Sequence, residues 1–278
     1  MRICIFSLFR DSEDYIYDCF DRFEKMESCT NASFEYYFYE NDSKDNTASI
    51  LQEWIKNKKG KVKCENINEK AYGSTMEGAR VIKLAKLRNK MADLAKPVDT
   101  DFTVVLDSDV IFEPNIINQY LEYSELDFSM LTPNIRQNVP CKMGSGDDSS
   151  YYDSWSLFDH DKNWCMTWSS NPFYRAQDRK DFNDNKPIDV YRSFGGFVFL
   201  KSEYFNQVKW FSNGELEHWY FCDELRKFAP IYFIPSIQPR VHIDQTQWSH
   251  EDRVINRQKY MLESKWNRFL LKAQQRQT

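Results

Sequence analysis

Two aspartates separated by one small residue, Asp107-Ser108-Asp109, follow directly on Phe102-Thr103-Val104-Val105-Leu106. That aromatic and β-branched run reads as a strand buried on both faces, so the carboxylates stand at its carboxyl end. Open parallel sheets bind their ligands there. Carboxylates at this spacing suit a hard divalent cation, Mg2+ or Mn2+, which prefers oxygen ligands and also takes the phosphates of a substrate. The alternative is a solvated polar turn. Glu217 is a second candidate. It opens a helical pattern just after Ser212-Asn213-Gly214, where it can serve as a general base on an attacking hydroxyl or merely face the positive end of the helix macrodipole. Gly195-Gly196 lets a substrate approach the backbone closely, or marks a β-bulge.

These residues need a sheet to position them. Arg2-Ile3-Cys4-Ile5-Phe6-Ser7-Leu8 reads as a first buried strand. Asp11-Ser12-Glu13-Asp14 then caps a helix whose apolar residues (Tyr15, Ile16, Cys19, Phe20, Phe23, Met26) recur at helical spacing. Strands are predicted over 34–39, 61–67 and 102–106, with helices over 48–57 and 76–95 between them. This alternation predicts an α/β fold, a single domain with a mostly parallel central sheet flanked by helices. Beyond it come a helix over 113–123, a strand over 127–131 and a long polar stretch, 134–189, read as a functional loop. A strand over 194–200, a helix over 215–228 and strands over 231–234 and 239–242 follow. Residues 1–245 form the expected domain, and 246–278 a basic C-terminal helix packing on it, the alternative being a helix lying on an anionic membrane surface.

Composition narrows the chemistry. With 278 residues, 37 Lys+Arg against 42 Asp+Glu and 41% apolar residues, the chain is long enough for a large core and carries a net charge of −5. A mildly acidic chain is a poor general nucleic-acid binder, and an acidic protein that binds a diphosphate needs a cation to do so. Seven scattered cysteines, an odd number with no C-x-x-C pair, argue against a disulfide framework or a structural zinc site. No apolar run reaches the length of a membrane span and no secretory leader is recognisable, so a soluble, cytoplasmic protein is expected. Aromatic residues gather at Tyr151-Tyr152, Trp155, Trp164, Trp168, Phe173-Tyr174 and Trp219-Tyr220, as core or as stacking surfaces for sugar rings.

Around Asp107 and Asp109 the sequence resembles the nucleotide-sugar-dependent glycosyltransferases of GT-A fold, whose metal signature is Asp-x-Asp at this strand end. Glu40-Asn41-Asp42-Ser43-Lys44-Asp45-Asn46-Thr47 is similar to the acidic loop that contacts the base in that fold. Three segments resemble the fungal capsule-associated mannosyltransferases, glycosyltransferase family 69. They are Tyr39-Glu40-Asn41-Asp42-Ser43 with Asp45 and Thr47; Arg80 followed by Leu84-Ala85 and Leu87-Arg88-Asn89; and Glu217 with Cys222, Glu224 and Leu225.

The resemblance implies a metal-dependent transferase moving a sugar from a UDP- or GDP-linked donor to a glycan hydroxyl, in viral or cell-surface glycan synthesis. Asp109 would bind the metal directly, Asp107 through water or by holding donor hydroxyls, and His242 would supply a third ligand, with His250 behind it. Ser7, Arg10, Glu40, Asn41, Arg88 and Asp107 would bind the donor; Glu217 and Arg88 would be catalytic. Glu217 is a general base if configuration inverts, or an anion steadying the anomeric carbon if it is retained. Gly195, Gly196 and His218 would border the acceptor. Here the chain departs from the family: His218 replaces a cysteine, and Phe194-Gly195-Gly196-Phe197 stands where Trp-Asn-Gly is common, so neither sugar need be mannose. The family's N-terminal anchor is missing from the sequence, which likens the chain to soluble relatives encoded by large DNA viruses. A sugar-nucleotidyltransferase is disfavoured, because Ser7-Leu8-Phe9-Arg10-Asp11 replaces its glycine-rich loop. A carbohydrate-binding or inactive scaffold is the non-enzymatic alternative.

Overall fold

A computed structural model describes residues 1–69, 72, 76–137, 151–165 and 169–241. The first half alternates strand and helix: β1 (Arg2–Phe9), α1 (Glu13–Cys29), β2 (Ser33–Asn41), α2 (Thr47–Trp54), β3 (Gly60–Glu65), α3 (Gly78–Ala92) and β4 (Phe102–Asp107). Parallel pairing of β2 and β4 with β1, and of β3 with β2, requires these helical crossovers. The second half is less regular. It comprises β5 (Val110–Ile111), α4 (Ile116–Leu121), β6 (Met130–Pro133), β7 (Arg136–Gln137), β8 (Phe158–Asp159), α5 (Ala176–Asn183), β9 (Ile188–Arg192), β10 (Phe197–Lys201), α6 (Ser202–Phe205), α7 (Glu217–Leu225), β11 (Ile231–Ile234) and β12 (Arg240–Val241).

Nine strands form one sheet in the order β3-β2-β1-β4-β10-β6-β11-β9-β8, and β5-β12-β7 form a small second sheet. Among the described residues seven strands of the large sheet run one way; only β9 and β10 run against them. The mostly parallel α/β sheet expected from the sequence is present.

Residues paired across a ladder share a face. Ile5, Tyr36 and Val104 therefore lie on one side with Ser7, Phe38 and Leu106. On that side α1 lays Phe23 at 5.2 Å from Tyr36, α2 stacks Trp54 on Phe38 at 5.7 Å, and α4 stacks Tyr120 on Phe199 at 5.3 Å. The other side carries Phe6, Leu8, Tyr37, Tyr39, Val105 and Asp107. There Phe6 meets Phe205 of α6, and Lys90 of α3 lies over Tyr39. Each fully buried phenylalanine of this core contributes roughly 2 kcal/mol of burial free energy, which fixes the sheet under the polar rim. No described helix is long and apolar enough to cross a membrane.

Several sequence readings shift. The stretch 134–189, read as irregular, holds β7, β8, α5 and the start of β9. Two-residue strands leave no periodicity to detect, and Ala-Gln-Asp-Arg-Lys-Asp-Phe-Asn of α5 has almost no apolar stripe. The strand expected from Phe194 begins at Phe197, because Gly195 and Gly196 adopt left-handed φ values of 71° and 64° and form a turn rather than a bulge. The helix predicted over 215–228 is confined to Glu217–Leu225. Strand β6 begins at Met130, three residues after the predicted start. The tail 246–278, with His242 and His250, lies outside the described residues.

Candidate active site at the end of the fourth strand

Asp107 is the last residue of β4, and its N–H donates to the carbonyl of Gly196 at 2.8 Å, extending the antiparallel pairing with β10 up to the rim. Arg88 reaches it from α3. Val81, Ala85, Arg88 and Ala92 recur at three- and four-residue spacing on the buried face of that helix, so helical geometry alone turns the guanidinium inward. Its Nη2 lies 2.9 Å from Asp107 Oδ1, and its Nε 3.3 Å from Glu217 Oε1. Glu217 is the first residue of α7 and is 1% exposed; Arg88 is 4% exposed. The helices close on each other where Gly78 of α3 meets Gly214, a Cβ on Gly78 falling 3.3 Å from the Gly214 Cα.

His218 completes the group. Its Nε2 lies 3.3 Å from Arg88 Nη2, and its ring lies flat on Phe194 with centroids 3.6 Å apart. Burial, reinforced by Arg88 and Arg80, pushes the imidazole pKa well below its ordinary value, so the ring is neutral. Nε2 also lies 3.3 Å from Glu217 Oε1, so this ring nitrogen sits between a guanidinium that can only donate and a carboxylate that can only accept. Burial opposes the charge of Arg88, yet Asp107 and Glu217 outweigh it and raise its pKa. Burial raises the carboxyl pKa of Glu217 against the opposing pull of Arg88. Three buried atoms of this group have no hydrogen-bond partner: Glu217 Oε2, His218 Nδ1 and Arg88 Nη1. Leaving such groups unpaired costs about 1–3 kcal/mol each, a cost that a bound polar ligand would remove.

Negative charge exceeds positive charge here. Asp109 is pushed up to about 7 by burial and then by the charge of Asp107. Asp153, which the sequence reading passed over, is pushed up to about 6 by burial, with Asp107 and Glu217 adding to it. Among the described residues no cluster of three acidic, histidine or cysteine groups is assembled to hold an ion. Two neighbouring carboxylates, Asp107 and Asp109, nevertheless have the chemistry of a cation site. Two carboxylates, completed by substrate phosphates and water, fit the preferences of Mg2+ or Mn2+.

The remaining predicted residues sit elsewhere. Ser7 shares a face with Phe38 and Leu106, opposite to Asp107, and its hydroxyl is buried without a partner, so it does not join the group. Arg10, Glu40 and Asn41 lie together at the ends of β1 and β2. Arg10 donates to the Glu69 carbonyl at 3.4 Å. Glu40 accepts the Ser43 N–H at 2.8 Å, and Asn41 donates to Asp42 at 3.0 Å. Asp42 Oδ1 in turn accepts the N–H groups of Ile67 and Asn68, each at 2.8 Å. Asp45 accepts from Glu13 N at 3.0 Å and Thr47 N at 2.9 Å, so one carboxylate serves the first turns of both α1 and α2. The polar loop read as a base contact thus spends many of its groups on holding itself. Of the aromatic residues, Tyr151 and Phe173 are core, while Trp219 meets Phe158 and Trp164 edge-on at 5.2 and 5.8 Å. Trp168 lies outside the described residues.

The sequence model of a family described as cryptococcal mannosyltransferase 1 matches residues 31–247. The chain belongs to that family. The match contains every residue of the Arg88 group. No curated protein matches by sequence. Among solved structures, residues 1–349 of Staphylococcus aureus TarS in complex with UDP-GlcNAc superpose with a TM-score of 0.50 at 14% identity, over 87% of this chain and 58% of that one. A longer TarS structure gives 0.53 at 14% identity, over 87% of this chain and 37% of that one. The mannosyltransferase PcManGT from Pyrobaculum calidifontis, in complex with GDP-Man and Mn2+, gives 0.49 at 9% identity, over 88% of this chain and 57% of that one. This cryptococcal mannosyltransferase 1 family member spans about 60% of the TarS fragment. Its fold is the GT-A α/β fold anticipated from the Asp-x-Asp strand end.

Proposed function

We propose that the chain is a glycosyltransferase that moves a sugar from a uridine or guanosine diphosphate sugar to a hydroxyl of a glycan, in viral or cell-surface glycan synthesis. The observation that carries this reading is the buried group of Arg88, Asp107, Glu217 and His218, in which Glu217 Oε2 and His218 Nδ1 are both left without a hydrogen-bond partner. A sugar hydroxyl donating to Glu217 Oε2 would satisfy that buried acceptor. Glu217, its pKa raised by burial, then takes the hydroxyl proton as the oxygen attacks in line and configuration inverts. With retention, the same carboxylate instead faces positive charge at the anomeric carbon. Neutral His218 holds the acceptor and moves no proton. Arg88 keeps Glu217 and Asp107 in register and prevents the buried carboxylate from drifting. Asp109, with Asp107 and His242, would hold a divalent cation, which when bound supplies Lewis-acid stabilisation of the departing diphosphate. Asp107 also reaches donor hydroxyls, while Arg10, Glu40 and Asn41 line the base end of the rim.

The test is nucleotide release from a panel of uridine and guanosine sugars with Mn2+, Mg2+ or chelator. Chelator-sensitive hydrolysis supports the transferase. Glycan binding without nucleotide affinity would favour a carbohydrate-binding scaffold and defeat the proposal.

A further inference from the structure

Asp153 lies in the 134–189 stretch but was not itself singled out in the sequence, and its carboxylate is tied to the Gly195-Gly196 turn beside Asp107. Its Oδ2 accepts the N–H of Gly195 at 2.8 Å and also the hydroxyl of Ser156. Gly195 and Gly196 are both left-handed, and the space around them is closed. A Cβ on Gly195 would fall 3.0 Å from Pro133 Cδ, and one on Gly196 would fall 3.0 Å from Val110 Cγ2 and 3.4 Å from Asp107 Oδ2. A two-glycine turn has more conformations to lose than any other pair and has no side chain of its own to pin it. Its anchor must come from outside, and the Asp153 carboxylate supplies one. Two peptides along, the carbonyl of Gly196 accepts the Asp107 N–H at 2.8 Å. An unbroken path therefore runs from the Asp153 carboxylate through two residues of backbone to the acidic end of β4. The same short loop also grips α7, since Trp219 Nε1 donates to the Trp155 carbonyl at 3.1 Å, two residues beyond Glu217.

We infer that Asp153 is a positioning residue. By holding the Gly195-Gly196 turn it sets the backbone of Asp107, and with it the acidic pair that receives the donor. The role of that pair rests on the transferase reading above; the mechanical link does not. Two measurements separate them. Hydrogen exchange at the Asp107 amide in the ligand-free protein reads the link, and affinity for UDP and GDP in the presence of Mn2+ reads its consequence. Asp153→Ala is expected to speed Asp107 exchange at least tenfold and to weaken nucleotide binding about tenfold, the size of one charge-assisted hydrogen bond. Asp153→Asn keeps an oxygen that accepts both bonds and is expected to stay within about threefold of wild type in both readouts. Unchanged exchange in Asp153→Ala overturns the inference, as does Asp153→Asn losing as much as Asp153→Ala, because charge rather than hydrogen bonding would then be at work. Should Asp153→Ala fail to fold, Ser156→Ala together with Asp153→Asn decides: the inference stands if Ser156→Ala speeds Asp107 exchange two- to threefold while Asp153→Asn does not, and falls otherwise. Wild type that binds neither nucleotide defeats the proposed function, and with it the consequence for the donor.

Discussion

Arg88 faces carboxylates at 2.9 and 3.3 Å from a position 4% exposed to water, so its removal strands the Glu217 charge in the interior. Breaking a buried pair in this way costs about 3–5 kcal/mol. Arg88→Met is therefore expected to lower the melting temperature sharply, and Glu217→Gln in the same chain to recover part of the loss. Glu217→Gln alone is expected to leave the melting temperature near that of wild type while turnover falls about 10²- to 10⁴-fold. Asp109 gives a pH signature. Its pKa is raised from the ordinary 3.8 to about 7, so between those values the folded chain binds more protons than the unfolded one. Stability then declines as pH climbs from 4 to 7. Melting curves across that range should show the decline, Asp109→Asn should flatten it, and Mn2+ should raise the melting temperature more at pH 8 than at pH 5. The acidic pair stood out because it closes an apolar strand run and Glu217 because it opens a helical pattern, whereas Arg88 was picked out by the family resemblance. Asp153 was not, since its role depends on a turn forty residues away, and no local pattern in Tyr151-Tyr152-Asp153-Ser154 announces it.

Helices α3 and α7 carry the two ends of the Arg88–Glu217 contact, and their spacing depends on the glycine pair at their N-terminal ends. Gly78→Ala places a methyl group 3.3 Å from Gly214 Cα, so the helices must part by a few tenths of an ångström. The expected result is a lower turnover number with little change in melting temperature, read by steady-state kinetics beside calorimetry. Asp45→Ala removes hydrogen bonds from the first turns of α1 and α2 at once. A loss of about 1–2 kcal/mol in urea unfolding, with nucleotide affinity preserved, is expected. Elements with strong apolar patterning, β1, β2, β4 and α1, were readable within a few residues because each buries a face against several neighbours. Strand β9 alternates buried Ile188 and Val190 with half-buried positions and carried a usable signal, lost among the polar residues around it. Helix α5, with Phe182 as its one large apolar residue, carried none.

At the scale of the molecule, alternation of strand and helix predicted the parallel half, whereas the order of the remaining strands depends on long-range pairing that no local pattern encodes. The reversal at β10 is the consequential feature. It brings the start of one strand to the rim where its neighbours end, so the Gly195-Gly196 turn lies beside Asp107 rather than on the opposite edge. The strands on one flank of this junction come entirely from residues 2–107, and those on the other from residues 130–234. Sequence and space are thus partitioned along the same line, and one block can diverge while the other is conserved. Under the proposed transferase reading, a chimera crossing over between β4 and β6 of two family members is expected to keep the nucleotide preference of the parent that supplies residues 2–107, which nucleotide-release assays would check.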